Sequence, residues 1–350
     1  MDDIRLNGRA VGRGHPPYVI AEIGANHNGE TDLALRLVDE AKTCGADAVK
    51  FQSWTRSSLI SSAEYRRNTH YGPGGNGHGT LEAEVERYQL SDEQHRTIAA
   101  HCERRGVTFL SSVFSPREVA LVDEIGAPAF KVASMDVNNL PLLACVARRG
   151  KPVLLSTGMA TLGEIERALD VLRREGAPAV ILLHCVSTYP TPPADVHLRN
   201  IPMLSQTFDV PVGYSDHALG AAVPIAAAAL GACVIEKHFT LDRAMPGWDH
   251  AISADPTELR LITTGARDAF LALGSGVRRV GPTELEKRRA FRRRAVAARA
   301  LTRGARLTLE DLEFKRPGTG IGPDEIDYLI GRTLAHDVDA DDELEWSHLL

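Results

Sequence analysis

The 350-residue chain holds only five cysteines, Cys44, Cys102, Cys145, Cys185 and Cys233, with no CxxC pair among them. Their odd number and wide spacing exclude a disulfide framework and a cysteine zinc site, and they predict a reducing, cytoplasmic setting. The opening MDDIRLNGRA lacks the apolar core of a leader peptide, which predicts against secretion. The stretch 218–235 carries 18 residues without a charge, but it is alanine-rich and interrupted by Gly220, Pro224 and Gly231. It reads as a buried helix followed by a strand, not as a membrane span. A basic excess is missing as well: 40 Lys and Arg stand against 46 Asp and Glu, and a net charge of -6 argues against nucleic acid as a partner.

What is present is an ordinary globular composition, 43% hydrophobic and 25% charged, able to bury a large core. Eight short apolar, β-branched runs read as buried parallel strands: YVIAEIG (18–24), AVKFQ (48–52), VTFLSS (107–112), AFKVAS (129–134), PVLLST (152–157), AVILLHC (179–185), VPVGYSD (210–216) and VIEKHF (234–239). Helical patterns lie between most of them, for example at 31–44, at 91–105 with Ser91 and Gln94 as a capping box, and at 161–175 with Thr161 and Glu164 in the same roles. Eight strand–helix alternations predict a (β/α)8 TIM barrel over 1–273. An open doubly wound sheet is the alternative, but no Gly-rich phosphate loop follows the first strand.

Two segments fall outside this rhythm. Residues 53–90 exceed a usual βα loop and contain YGPGGNGHGT (71–80), a lid or a disordered insertion. Residues 274–294 read as a linker ending in the basic run KRRAFRRR (287–294), a solvated hinge or, alternatively, an RNA-binding stretch. From 295 to 350 short strand-like pieces alternate with turns, a small β-rich module that buries little surface alone and is expected to pack against something.

In a parallel barrel, catalytic groups sit at the C-terminal strand ends. Those ends deliver Glu22 with Asn26 and His27, Lys50 with Gln52, Ser111 with Ser112, Lys131 with Ser134, Ser156 with Thr157, His184 with Ser187, Asp216 with His217, and Glu236, Lys237 and His238. Eight converging polar sets are hard to explain by packing, because each unpaired buried charge costs several kcal/mol. His217 and His238 end consecutive strands; with Glu236, Asp216 and Asp249 nearby they form either a divalent-metal seat or a hydrogen-bonded pair lining a pocket. Lys131, Ser134, Ser156 and Ser187, with Lys50 as a second cation, are what a phosphate or carboxylate needs. The bland readings are a helix cap for Ser156 and a buried ion pair for each lysine.

The segments AEIGANHNG, VKFQ, KVAS, LLSTGMATLGEIE, LLHCVSTYPTP, GYSDH, EKHFTLD and MPGWDH resemble the motifs of the sialic acid synthases, which condense phosphoenolpyruvate with an aldehyde sugar. LTRGARLTLEDLEFKRPGTGI resembles that family's antifreeze-like (SAF) domain, a β-clip fold. The resemblance covers nearly the whole chain, in the family order. It implies condensation of phosphoenolpyruvate with an N-acetylmannosamine-type sugar, or its 6-phosphate, to a nine-carbon 2-keto acid, with Mn2+, Mg2+ or Co2+. By motif it implies His217 and His238 as metal ligands. Lys50, Ser112, Lys131, Ser134, Ser156 and Ser187 fall around phosphoenolpyruvate, and Glu22, Lys50 and Lys131 are the catalytic candidates, Glu22 as base or water-orienting group. Gln52, Asp136, Tyr189, Glu236 and Asp249 fall around the sugar. It further implies a cytoplasmic homodimer whose small domain crosses to the partner's barrel, carrying Arg316 into the sugar pocket.

Two departures bear on the acceptor. Met135 and Asp136 stand where bacterial N-acetylneuraminate synthases usually read Gly-Glu, and Ser187 stands where Asn is frequent. These leave the sugar open between an N-acetylmannosamine type and a diacetamido sugar of the legionaminate or pseudaminate kind. A metal-dependent pyruvate aldolase and a non-catalytic sugar-binding protein are the competing classes.

Overall fold

A computed structural model describes residues 4–68, 80–316 and 318–350. The chain divides into two compact units, Met1–Gly274 and Ser275–Leu350.

The first unit opens with a hairpin, β1 (Ile4–Leu6) and β2 (Arg9–Val11), turned by Asn7 and Gly8, both at positive φ. Eight parallel strands follow: β3 (Tyr18–Glu22), β4 (Ala48–Ser53), β5 (Thr108–Val113), β6 (Phe130–Val132), β7 (Val153–Ser156), β8 (Val180–Cys185), β9 (Val212–Asp216) and β10 (Val234–His238). Each pairs with the next, and β10 pairs with β3, so the sheet closes into the expected barrel. All eight predicted runs are strands within a residue or two of their expected bounds.

Alternation within each strand decides what faces where. Inward positions such as Ile20, Leu110, Leu154, Ile181 and Val234 form one interior cluster, together with Leu6 and Val11 of the hairpin, which therefore closes the barrel floor. Outward positions such as Val19, Phe51, Val132, Leu155 and Leu182 pack under the helices. The helix Leu162–Arg174 shows why these segments fold: Thr161 and Glu164 cap its first turn reciprocally, and Ile165, Ala168, Leu169 and Leu172 recur on one face and are buried. The 91–105 helix is capped as expected by Ser91 and Gln94 and is stopped by Gly106 at φ 63. The alanine-rich run is the helix Ala222–Ala229 followed by β10, and no helix among the described residues is long and apolar enough to cross a membrane.

After β4 the long insertion is ordered on both flanks. Short helices Arg56–Leu59, Ser62–Arg67 and Leu81–Tyr88 contribute to a separate apolar cluster of Trp54, Tyr65, Leu81, Val85 and Tyr88, with Phe114 and Trp248 packed against it. The 71–80 loop, expected as a lid, lies outside the described residues except for Thr80, which caps the last of these helices.

In the second unit, β11 (Arg294–Ala297) and β12 (Leu312–Lys315) pair antiparallel, and Ala295, Leu307, Leu329, Leu334 and Leu344 form its own core. The basic run expected as a hinge is largely helical: Pro282–Phe291 is a helix whose described side chains are all exposed.

Candidate active site

The C-terminal strand ends enclose a cavity of about 430 Å³. Glu22, Lys50, Gln52, Ser112, Lys131, Ser134, Ser156, Ser187, Tyr189, His217, Glu236, His238 and Asp249 all line it. The barrel register explains the convergence: Glu22 stands beside Lys50, Gln52 beside Ser112, Ser112 beside Lys131 and His238 beside Glu22, all inward positions on neighbouring strands.

Four buried charges form the floor of this cavity. Lys50 Nζ is paired with Glu22 Oε2, lies 3.9 Å from Glu236 Oε1 and donates to Ser112 Oγ at 3.0 Å. Gln52 donates to the other Glu22 oxygen at 2.6 Å, and Ser215 donates to Glu236 Oε1 at 2.9 Å. Lys131 has much less: Glu236 at 3.7 Å and a long contact of 3.4 Å to the Val132 carbonyl. The electrostatics follow the partners. Burial pulls Lys131 below the ordinary lysine value, because one carboxylate does not offset desolvation and the repulsion of Lys50. Burial acts on Lys50 too, but Glu22 and Glu236 together outweigh it and raise that ammonium's pKa. Glu236 is equally desolvated, yet the two lysines hold its carboxyl well below the usual range. Lys131 is thus a buried cation with donors to spare.

Beside it lie three hydroxyls. Ser156 Oγ is buried without a partner, and Ser134 Oγ accepts the Gly158 N–H at 3.0 Å. Gly158 leaves room for both hydroxyls: a Cβ would collide with Ser187 Oγ, come within 2.9 Å of Ser134 Oγ and displace them. An ammonium with one distant carboxylate, an orphaned hydroxyl and two further serines are the donor set that an anion requires.

Across the cavity the imidazoles of His217 and His238 have centroids 5.5 Å apart, with Tyr189 over His217 at 4.0 Å. His217 Nδ1 donates to the Val186 carbonyl at 2.7 Å, which leaves Nε2 with its lone pair. Burial and the neighbouring His238 lower the His217 pKa to about 3, so the ring is neutral. His238 Nδ1 is buried without a hydrogen bond, 3.5 Å from Asp249 Oδ2. Two imidazoles lining one cavity, His217 with a free Nε2 lone pair and His238 with no hydrogen bond at Nδ1, fit a divalent cation that takes its remaining ligands from substrate and water. Among the described residues no set of three or more His, Cys, Asp or Glu side chains is arranged to hold a metal, so the fit is to a two-imidazole seat.

Several candidates from the strand ends face away from the cavity. Asp216 is no neighbour of the metal seat: it is turned outward and accepts from Lys237, Tyr214 and the Ala218 N–H. Lys237 faces out of the barrel but is buried against that carboxylate, not solvated. Ser111 joins Ser53 and His95, His184 is bonded to the Val196 carbonyl, and Asn26 ties Phe239 to Ser253. His27 accepts the Gly29 N–H. Asp136 does not line the cavity; it accepts from Asn139 while its neighbour Met135 reaches the lining. Arg316 belongs to the second unit, where its guanidinium lies over the Phe291 ring at 5.2 Å.

The sequence reading missed one wall. Trp54, Leu59, Phe114, Met135, Met159 and Trp248 give the cavity an apolar side, with Trp54 6.1 Å from Phe114 and 6.2 Å from Trp248. The Trp54 indole N–H is buried there without an acceptor. A tryptophan directly after a strand end was the available signal. Ser215 was also overlooked, although it precedes His217 by the strand period of two.

The NeuB family profile matches residues 37–278, and the SAF domain profile matches residues 292–350. The chain is 38% identical over 354 residues to the N,N'-diacetyllegionaminic acid synthase of Legionella pneumophila, covering 99% of this chain and 98% of that one. It is 35% identical to the N-acetylneuraminate-9-phosphate synthase of Homo sapiens, covering 96% and 94%. Among solved structures, the N-acetylneuraminic acid (sialic acid) synthetase from Leptospira borgpetersenii superposes with a TM-score of 0.74 at 33% identity, covering 82% of this chain and 95% of that one.

Proposed function

Because this chain belongs to the NeuB family and carries a SAF domain, we propose that its barrel condenses phosphoenolpyruvate with an N-acetylmannosamine-type aldehyde sugar, releasing phosphate and a nine-carbon 2-keto acid. Nonulosonic acid synthesis is the family-level function of its relatives. The observation that carries the reading to these residues is Lys131, a buried ammonium without a good acceptor that lines the same cavity as the orphaned Ser156 hydroxyl.

In this reading Lys131, Ser134, Ser156 and Ser187 hold the phosphoenolpyruvate anion, with Lys50 and Ser112 completing the cationic side. C3 of the enol phosphate attacks the aldehyde carbon, and the aldehyde oxygen takes up a proton to become a hydroxyl. The positive charge left at C2 faces Glu22 and Glu236, the carboxylates that stabilise it. Water adds to C2 and gives up its proton, with Glu22 as the base held in place by Gln52 and Lys50. The C2–O bond to phosphate then breaks as the new C2 hydroxyl passes its proton to the departing phosphate, which leaves the ketone at C2 and the phosphate against Lys131. A divalent cation, Mn2+ by preference and Mg2+ or Co2+ in its place, would be held by His217 and His238 and would polarise the acceptor carbonyl. Tyr189, Glu236, Asp249 and Gln52 border the acceptor. The reading takes the protein as a cytoplasmic homodimer, with the small domain of one copy bringing Arg316 to the other's sugar pocket.

A second reading concerns the acceptor alone. Lys50 and Lys131 are the only Lys or Arg among the described lining residues, and the side away from them is apolar. The apolar side suits a deoxygenated diacetamido sugar, as in the product name of the Legionella relative, whereas a sugar 6-phosphate would need the cation that the homodimer reading assigns to Arg316 of the partner subunit.

The test is phosphate release from phosphoenolpyruvate with Mn2+, comparing N-acetylmannosamine, its 6-phosphate and a 2,4-diacetamido-trideoxyhexose, with and without EDTA. EDTA-sensitive release with one sugar establishes the reaction and its acceptor. Product formation from pyruvate in place of phosphoenolpyruvate would instead establish an aldolase.

A further inference from the structure

Asp216 immediately precedes His217, and Lys237 immediately precedes His238. The two form a register pair across β9 and β10, and since alternate residues face opposite ways, both point out of the barrel while the histidines that follow them point in. Outside, Lys237 Nζ meets Asp216 Oδ2 at 2.8 Å, with both side chains 1% exposed or less. Asp216 Oδ1 accepts Tyr214 OH and the Ala218 N–H, each at 2.8 Å, and Lys237 also donates to the Ala218 carbonyl. The ion pair therefore grips the backbone on both flanks of His217 and ties it to the residue before His238.

We propose that the Asp216–Lys237 pair is the positioning device of the two-imidazole seat, fixing the separation and aim of His217 and His238 from the far side of the sheet. The proposal rests on the metal reading above. With only two protein ligands among the described residues, the seat has no third side chain there to correct a misplaced one, and ligand geometry must hold to about half an ångström. A buried ion pair is a poor source of net stability, so its position behind the ligands calls for another account, and an outer partner that orients metal ligands is one.

The experiment titrates the full-length protein with Mn2+ alone by electron paramagnetic resonance and with phosphoenolpyruvate alone by calorimetry. The variant is Asp216→Asn/Lys237→Met, which keeps the volume and removes both charges. The Mn2+ Kd is expected to rise about tenfold to a hundredfold in the folded variant, with phosphoenolpyruvate affinity unchanged. A folded variant with a lower Tm but parental Mn2+ affinity overturns the proposal, since a merely structural pair would behave that way. Tyr214→Phe, which removes one donor to Asp216 and nothing from the cavity, covers the case in which the double variant does not fold. Its Mn2+ Kd should rise about fivefold, and parental affinity there is equally fatal. His238→Ala separates the two levels. If it binds Mn2+ as the parent does, the seat itself is refuted and the pair's role with it; if it loses Mn2+ while the pair variants do not, only the pair's role falls.

Discussion

Lys131 Nζ lies 3.7 Å from Glu236 Oε1, close enough for attraction and too far for a hydrogen bond. Besides the 3.4 Å contact to the Val132 carbonyl, no hydrogen bond from this ammonium is found among the described residues, and under the proposed function its donors serve phosphoenolpyruvate. Lys131→Met should lower kcat/KM on the order of a thousandfold, the scale of losing a donor to developing negative charge. Steady-state phosphate release checks this. Because burial lowers this lysine's pKa, the protonated form is lost on raising the pH earlier than for a free lysine. Phosphoenolpyruvate affinity should fall along that alkaline limb, measurable by calorimetry across a pH series.

Gly158 is the spacer between two serines of the proposed anion cradle. Gly158→Ala should push Ser134 and Ser187 aside and raise the KM for phosphoenolpyruvate by about tenfold or more, the loss of one charge-assisted hydrogen bond. The KM for the sugar should hold. If both KM values moved together, the cradle assignment would be wrong.

Trp54 separates acceptor from donor in the opposite sense. Trp54→Phe keeps a ring against Phe114 and Trp248 but deletes an indole N–H that has no acceptor within the protein. The acceptor KM should rise several-fold, about what one hydrogen bond is worth, with phosphoenolpyruvate binding unaltered. Trp54→Ala should in addition destabilise the fold by about 3–5 kcal/mol through lost packing, readable by denaturant titration.

Acid should weaken the barrel through His27. Burial, reinforced by repulsion from His95, lowers its pKa to about 3 from the model-peptide value of 6.5. Between those values the unfolded chain binds a proton that the folded chain does not. The contribution of this residue is therefore complete above pH 6.5 and is lost progressively as the pH falls toward 3. At pH 5 the loss is about 2 kcal/mol. Urea titrations at pH 7.5 and 5 should show it, and His27→Asn, which keeps an acceptor for the Gly29 N–H, should flatten the difference.

Much of this site was legible in sequence because a barrel sends strand ends to one place. The eight apolar runs located the strands, and the ionisable residues at their ends located the cavity. What could not be read was the facing of each side chain. Strands buried on both sides are apolar throughout, so the period of two that separates Glu236 and His238 from Lys237 is masked by its neighbours. Asp216 consequently looked like part of the cavity, while Ser215 did not. The hairpin 4–11 went unread although Asn7-Gly8 is a strong turn signal, because its strands are three residues each. The apolar wall was hidden for a different reason: Trp54 and Trp248 lie far apart in sequence and meet only through the insertion's packing.

The hairpin that closes the barrel floor makes the cavity a vessel with one mouth. Leu6 and Val11 fill the lower end among Ile20, Leu110 and Ile181, so nothing passes through the barrel axis. Lys50, Lys131 and Glu236 lie within or at the strands, whereas Trp54 and Trp248 lie in the loops beyond them. Depth then becomes sequence in time. Under the proposed function, phosphoenolpyruvate on the lysines would bind before the sugar fills the mouth, and phosphate freed beneath would leave after the keto acid.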